Sequence, residues 1–444
     1  MKSWSIKGAT AAQIAASIEE SLRSGAMVPG DALPAVRALA DRLGVNPNTV
    51  AAAYARLRDA GRLQTDGRRG TRVAEPLPSA LPGGQGIPAL PAGLRDLAGG
   101  DVDTALLPRL HADAWPGLLS GEGYGGPAEA PAWREVAHAW LARQGLPAEA
   151  TGVYSGTLDV VERALRLHAR AGDRVALEDP CWPPMAALVQ SLRLRPVPLP
   201  VDAQGARVPP AEVLDGCAAI VLTPRAHNPT GCALSEPRWR ALRRLLLARP
   251  HLLCILDDYW GPLSQEPMAP AGALPPLWLY VLSAGKFLGP DLRVALAAGP
   301  PALMQALRAQ QAAGPRWVSR LLQVVAAGLW RNAEASGQLA RAGQAYARRR
   351  HALEFALRSQ PPAQAPLPPV GGEGLHVWVP VDNEATVLAA LAARGWAAQA
   401  GAPFRIASGP AVRLSLGALQ GDEVGPLARD LAAALSPLPG RAVF

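Results

Sequence analysis

The chain has 444 residues, 49% hydrophobic and 18% charged, a balance that excludes a disordered or fibrous protein and leaves room for two or three folded domains. Its net charge of +8 and pI of about 9.8 permit an anionic partner. The four cysteines (Cys181, Cys217, Cys232 and Cys254) show no CxxC spacing, which argues against a zinc site or a disulfide framework and for a reducing, cytoplasmic setting.

The N-terminus lacks the apolar core of a signal peptide, and no run approaches 18 apolar residues, so no membrane partner is expected. Ile14, Ile18 and Leu22 recur at helical spacing on a first helix ending near Gly25. A second helix is predicted over about Pro34 to Leu43. Asn46 caps a third, with Pro47 at its first position, running to about Ala60 and stopped by Gly61. Two short strand patterns then flank Asp66-Gly67-Arg68-Arg69-Gly70, a hairpin with a basic tip. Three helices and a basic hairpin are the plan of a winged helix-turn-helix, whose third helix enters the major groove of DNA.

The stretch PGDALPAVRALADRLGVNPNTVAAAYARLRDAGRL, followed by GRRGTRV, closely resembles the DNA-binding domain of the GntR family. The resemblance implies phosphate or groove contacts by Arg37 and Arg56. It places Asn46, Asn48 and Thr49 at the start of the recognition helix, and Arg68 and Arg69 on the wing. Residues 1–75 are assigned to this domain. Residues 76–94 are Pro/Gly-rich without apolar periodicity and read as a semi-extended linker.

From residue 95 to 444, short apolar runs alternate with helical segments, the pattern of a mainly parallel α/β sheet covered on both faces. A smaller C-terminal subdomain is expected from roughly 330 to 444. Ligands of such sheets bind beyond the carboxyl ends of the strands, and the unusual polar residues fall there. Glu178-Asp179-Pro180-Cys181-Trp182, Thr223 to Gly231, Asp257-Asp258-Tyr259 and Ser283 to Lys286 each follow an apolar run. Ser155-Gly156-Thr157 precedes a helix, where free N–H groups can cradle a phosphate.

Lysine occurs only at Lys2, Lys7 and Lys286, and arginine supplies every other basic residue. A lysine kept at the end of a core strand points to chemistry that needs an amine able to lose its proton. An amine, an acid, an aromatic plate and a phosphate cradle are what pyridoxal 5′-phosphate requires.

The succession SGT, EDPCW, NPTG, DDY and SAGK resembles the fold-type I aminotransferases. The resemblance makes Lys286 the Schiff-base lysine. It gives Asp257 the pyridinium nitrogen, with the adjacent Asp258 as the other candidate, and gives Tyr259 and Asn228 the 3′-oxygen. Trp182 would stack on the ring. Ser155, Gly156, Thr157, Ser283 and Arg293 would hold the phosphate, helped by Tyr124 from a partner subunit, and Arg413 would grip a ligand carboxylate.

The two halves together resemble the MocR subfamily of transcriptional regulators. That implies a head-to-tail homodimer binding operator DNA and sensing an amino compound or a vitamer through the cofactor. The alternative is a working aminotransferase that carries a DNA-binding domain. The chain departs from the subfamily at Asn228, where a His-Gln pair is usual before the proline, and at Glu129, where glycine is expected.

Overall fold

A computed structural model of the chain describes residues 4–59, 62–66, 70–74, 93–110, 123–269, 274–360 and 372–435. The chain divides into two units, one of residues 1–81 with 170–173 and 190–195, the other of the remaining residues. The expected linker lies outside the described residues, apart from its last two.

In the first unit the Thr10 hydroxyl accepts the Gln13 N–H at 3.3 Å and so caps α1 (Ala11–Arg23), satisfying a donor that a helix start leaves free. Helix α2 (Val36–Leu43) ends on Gly44, whose φ of 65° is the left-handed turn glycine takes without a side-chain clash. Asn46 caps α3 (Pro47–Asp59), its Oδ1 accepting from the Asn48 N–H at 2.8 Å. Ile14, Ile18, Leu39, Val50 and Leu57 are fully buried where the three helices meet. Strands β1 (Leu63–Asp66) and β2 (Gly70–Val73) pair antiparallel with Leu63 opposite Val73. Arg68 and Arg69, at the tip between them, lie outside the described residues.

The second unit begins with β3 (Arg95–Asp96), α4 (Pro131–Arg143), β4 (Thr151–Tyr154), α5 (Thr157–His168), β5 (Arg174–Asp179) and α6 (Pro183–Ser191). There follow β6 (Arg195–Asp202), β7 (Gly205–Ala206), α7 (Ala211–Leu214), β8 (Cys217–Leu222), α8 (Glu236–Leu247), β9 (Leu253–Asp257), β10 (Trp278–Ser283) and β11 (Ala295–Ala298). One eight-stranded sheet takes them in the order β4-β11-β10-β9-β8-β5-β6-β7. Strands β5, β8, β9 and β10 run parallel, and β11 runs antiparallel to both neighbours. Burial of both faces explains why β8 to β10 read as nearly unbroken apolar runs.

Helices α9 (Pro301–Ala312), α10 (Arg320–Ala335) and α11 (Gln338–Arg358) lead to β12 (His376–Pro380), α12 (Glu384–Ala392), β13 (Trp396–Ala397), β14 (Gln399–Ala400), β15 (Ala411–Ser415) and α13 (Val424–Leu435). Strands β12, β15 and β14 form a separate antiparallel sheet. Its core of Val377, Val379, Leu391, Val412, Leu414 and Leu427 also takes in Leu97. Strand β3 pairs in parallel with β13, and Arg95 bonds Glu423 at 2.6 Å. The small subdomain thus includes residues 95–97, far in sequence from the segment near 330 where the periodicity first suggests it.

Two carboxylates lock this unit together. Asp179, at the end of β5, accepts from the N–H groups of Ile406, Ala407 and Ser408 at 2.8–2.9 Å and from the Ser408 hydroxyl at 2.8 Å, fixing the small subdomain to the large sheet. Asp258, fully buried, accepts from Arg225 at 2.6 and 2.8 Å and from the Tyr280 hydroxyl at 2.7 Å, and Trp140 donates to that hydroxyl in turn. Among the described residues no helix is long and apolar enough to cross a membrane, and the four cysteines are free.

Removing one member of a buried ion pair strands the other charge. Asp258→Ala is therefore expected to lower the stability of the C-terminal unit by about 3–5 kcal/mol in urea unfolding, and Asp258→Leu with Arg225→Met to recover most of the loss. A double variant no more stable than the single one would show that the pair does more than neutralise its own charges.

Candidate functional site

Four strand ends meet beyond the carboxyl edge of the sheet. Asp257, the last residue of β9, is buried and lies 3.3 Å from the Thr157 hydroxyl, which donates to it from the start of α5. Burial pushes its carboxyl up to about 7; the Thr157 bond opposes the rise and the Asp258 charge adds to it. The adjacent acids therefore divide in the structure, Asp258 facing Arg225 and Asp257 facing the site. Trp182, after β5, lines a cavity of about 20 Å³ with Glu178, Thr223, His227 and Asp257.

Lys286 lies on a 3₁₀ turn after β10, opened by Ser283, whose hydroxyl accepts the Gly285 N–H at 3.4 Å. Burial lowers the pKa of its amine, with Asp101 opposing and Arg413 reinforcing the shift. Its Nζ donates to the Gly100 carbonyl at 2.6 Å. Arg293, in the left-handed region at φ 50°, donates to the Ser155 carbonyl at 2.9 Å. A Cβ at Gly156 would lie 2.6 Å from its guanidinium, so only glycine lets the charge come this close to the N-terminus of α5.

The Tyr259 hydroxyl donates to the Ala226 carbonyl at 2.5 Å, two residues before Asn228, whose buried Oδ1 has no hydrogen-bond partner. Arg413 is buried on β15. It donates to the carbonyls of Ala98 (2.6 Å) and Gly99 (3.2 Å) and stands 4.8 Å from the centre of the Phe404 ring. Burial lowers its pKa to about 10.

Tyr124 stands apart. It is 79% exposed, edge-on to Trp317 at 6.1 Å and covered by the Arg316 guanidinium at 5.3 Å. Glu129 accepts from the Thr151 hydroxyl at 3.1 Å at the start of β4. On the first unit Arg37, Asn46, Asn48 and Arg56 are exposed and Thr49 half-buried, so the N-terminus and outer face of α3 are free to meet a partner.

The motifs assign no role to Glu178, His227 or His376; Glu178 and His376 lie in otherwise apolar strands and His227 in the loop after β8. Glu178 accepts from the Thr223 N–H at 2.9 Å, its other oxygen is unpartnered, and His227 lies 3.5 Å away. Burial raises Glu178 to about 8 and lowers His227 to about 3, so both are neutral near pH 7.

A carboxyl raised on folding binds more protons in the native state than in the unfolded one, so its burial costs little at low pH. That cost grows as pH rises from the ordinary value near 4 toward 8. Glu178→Gln keeps the acceptor for Thr223 and removes the titration. Its melting temperature relative to the unaltered protein is expected to climb steadily between pH 5 and pH 8, and a pH-independent difference would contradict the assignment.

Residues 10–73 match the model of the bacterial regulatory proteins of the gntR family, and residues 122–431 match aminotransferase class I and II. The chain is 37% identical over 441 residues to the vitamin B6 salvage pathway transcriptional repressor PtsJ of Salmonella typhimurium, covering 97% of this chain and 100% of that protein. It is 26% identical to the pyridoxine biosynthesis transcriptional regulator PdxR of Corynebacterium glutamicum over 86% of each chain. Among solved structures, LysN, the α-aminoadipate aminotransferase of Thermus thermophilus, superposes with a TM-score of 0.68 at 22% identity, over 85% of this chain and 96% of that one. The kynurenine aminotransferase of Pyrococcus horikoshii gives 0.66 at 20% identity, over 78% and 91%. With a gntR-type DNA-binding unit ahead of a fold-type I unit, the chain belongs to the aminotransferase class I and II family in its MocR-type regulator branch, whose cofactor is pyridoxal 5′-phosphate.

Proposed function

We propose that this protein is a DNA-binding transcriptional regulator that holds pyridoxal 5′-phosphate on Lys286 and reads vitamin B6 status or an amino compound through it. The observation that carries the reading is end-to-end similarity to a repressor of the vitamin B6 salvage pathway, DNA-binding unit included. PdxR, named for pyridoxine biosynthesis, supports the same subject.

The residues present fit the cofactor. Asn228 Oδ1 is a buried polar atom in need of a partner, Gly156 leaves backbone room beside Arg293, and Asp257 is a buried carboxyl at the end of β9, the strand paired with the β10 that leads to Lys286. The cofactor supplies an aldehyde that condenses reversibly with amines and a ring that withdraws electrons from the attached group. Lys286, with its depressed pKa, supplies a neutral amine more readily than an exposed lysine. Asp257 is the partner of the ring nitrogen, Tyr259 and Asn228 of the 3′-oxygen, and Trp182 the stacking plate. Ser155, Gly156, Thr157, Ser283 and Arg293 hold the phosphate. Tyr124 serves the phosphate of a partner subunit in a head-to-tail homodimer, where its exposure would be covered.

A ligand carboxylate at Arg413 competes with the carbonyls of Ala98 and Gly99. Arg37, Asn46, Asn48, Thr49 and Arg56 are the DNA contacts on the described part of that unit, with Arg68 and Arg69 assigned to the wing.

Borohydride reduction of the purified protein followed by peptide mass spectrometry is expected to find the phosphopyridoxyl group on Lys286. Lys286→Ala is expected to carry none and to lose the response of DNA binding to added pyridoxal phosphate. An unchanged response in that variant would sink the reading, and steady amino-group transfer at enzyme-like rates would replace it with the aminotransferase alternative. Arg37→Ala and Arg56→Ala should each reduce the slope of log affinity against log salt by about one. An unchanged slope would remove that arginine from the DNA interface.

A further inference from the structure

Beyond these assignments, one buried side chain beside Arg413 has no partner and no role. His376 opens β12 and is 2% exposed, and its Nδ1 has no hydrogen bond. The register of the small sheet sets His376 opposite Ser415 and Trp378 opposite Arg413. The histidine and the arginine are therefore diagonal neighbours on one face of the sheet. Both converge on Gly100: a Cβ there would lie 3.8 Å from His376 Cε1 and 3.9 Å from Arg413 Nη1. The Gly100 carbonyl is also the acceptor for Lys286. Arg350 holds the strand in place by donating to the His376 carbonyl.

The surroundings settle which chemistry this ring can serve. Burial and then the charges of Arg413, Lys286 and Arg350 hold the imidazole neutral. Arg413 has a second unmet donor, its buried Nε. Among the described residues neither Arg413 nor Lys286 has a carboxylate partner, because main-chain carbonyls occupy both. Asp96 and Asp101 act on these two cations without pairing with them, and two unsatisfied polar atoms on one face call for an anionic partner, since a buried polar group without a partner is costly.

We infer that His376 is a ligand-binding residue that works with Arg413 on one carboxylate, so that the site selects amine ligands carrying a carboxylate over simple amines. The neutral ring donates one N–H to the carboxylate, and Arg413 donates through its guanidinium. The inference rests on the regulator reading only in that the cofactor is held at Lys286.

The test uses the full-length holoprotein, titrated with L-alanine, L-glutamate and methylamine and followed by the cofactor's absorbance. His376→Phe is expected to raise the half-saturating concentration of both amino acids by about tenfold, the worth of one hydrogen bond to a charged group. It should leave methylamine and cofactor content unchanged. His376→Gln, which retains an N–H donor, should stay within about threefold of the unaltered protein. A shift shared by methylamine would mean a packing role and overturn the inference, as would no shift with any ligand. An unaltered protein that ignores amino acids while borohydride still traps the cofactor on Lys286 would overturn this inference and leave the regulator reading standing. Failure to trap the cofactor would sink both.

Discussion

The site depends on how the sheet disposes of four acids that it buries at the ends of two parallel strands. Glu178 and Asp179 finish β5, and Asp257 and Asp258 finish β9 and the residue beyond it. Successive residues of a strand point to opposite faces, so each adjacent pair is split between two environments. Asp179 is saturated by three main-chain N–H groups and a hydroxyl, and Asp258 by Arg225, Tyr280 and the Gly261 N–H. The interactions that saturate these two also bind the small subdomain and the neighbouring strands. Their partners face the site with far less: Asp257 has one long bond from Thr157, and Glu178 has one N–H and a neutral histidine. Both are driven toward the protonated form. One member of each pair holds the scaffold and the other is left unsatisfied at the site.

This split also explains what could be read from the sequence. The two units, the helices of the first, and β5, β8, β9, β10 and β11 were legible, because each rests on local patterns: a cap such as Asn46, a stop such as Gly25, an apolar run covered on both faces. The strand-end clusters were legible because buried strands do not ordinarily finish on Glu-Asp or Asp-Asp. Residue type could not tell Asp257 from Asp258, since the difference lies in Arg225 and Tyr280, 33 and 22 residues away. Nor could it place residues 95–97 in the small subdomain, which depends on Arg95 pairing with Trp396 and Glu423. His376 was hidden for a related reason. In an apolar strand a lone histidine looks like any satisfied core residue, and only the register to Arg413 and the missing partner reveal otherwise.

Arg413 shows how the same accounting bears on ligand exchange. Its described partners are neutral main-chain carbonyls from Ala98 and Gly99, reinforced by the face of Phe404. A carboxylate adds its own charge to that of the guanidinium and can meet the planar fork with two parallel hydrogen bonds, so it wins the guanidinium on pairwise strength. The exchange is still not free, because each displaced carbonyl must find another donor or water. Ala98 and Gly99 already have their N–H groups held by the Asp96 carboxylate at 2.8 and 3.1 Å. That grip fixes the start of the segment while Gly99 and Gly100 leave its remainder free to turn. The Ala98 carbonyl shares its peptide group with the Gly99 N–H that Asp96 holds, so it cannot turn away from Arg413 without loosening that bond, whereas the Gly99 carbonyl belongs to the next peptide group and is free of it. At the far end of the segment Arg349 holds Asp103 with an ion pair at 2.6 Å, so both ends that flank Gly99 and Gly100 are tied down.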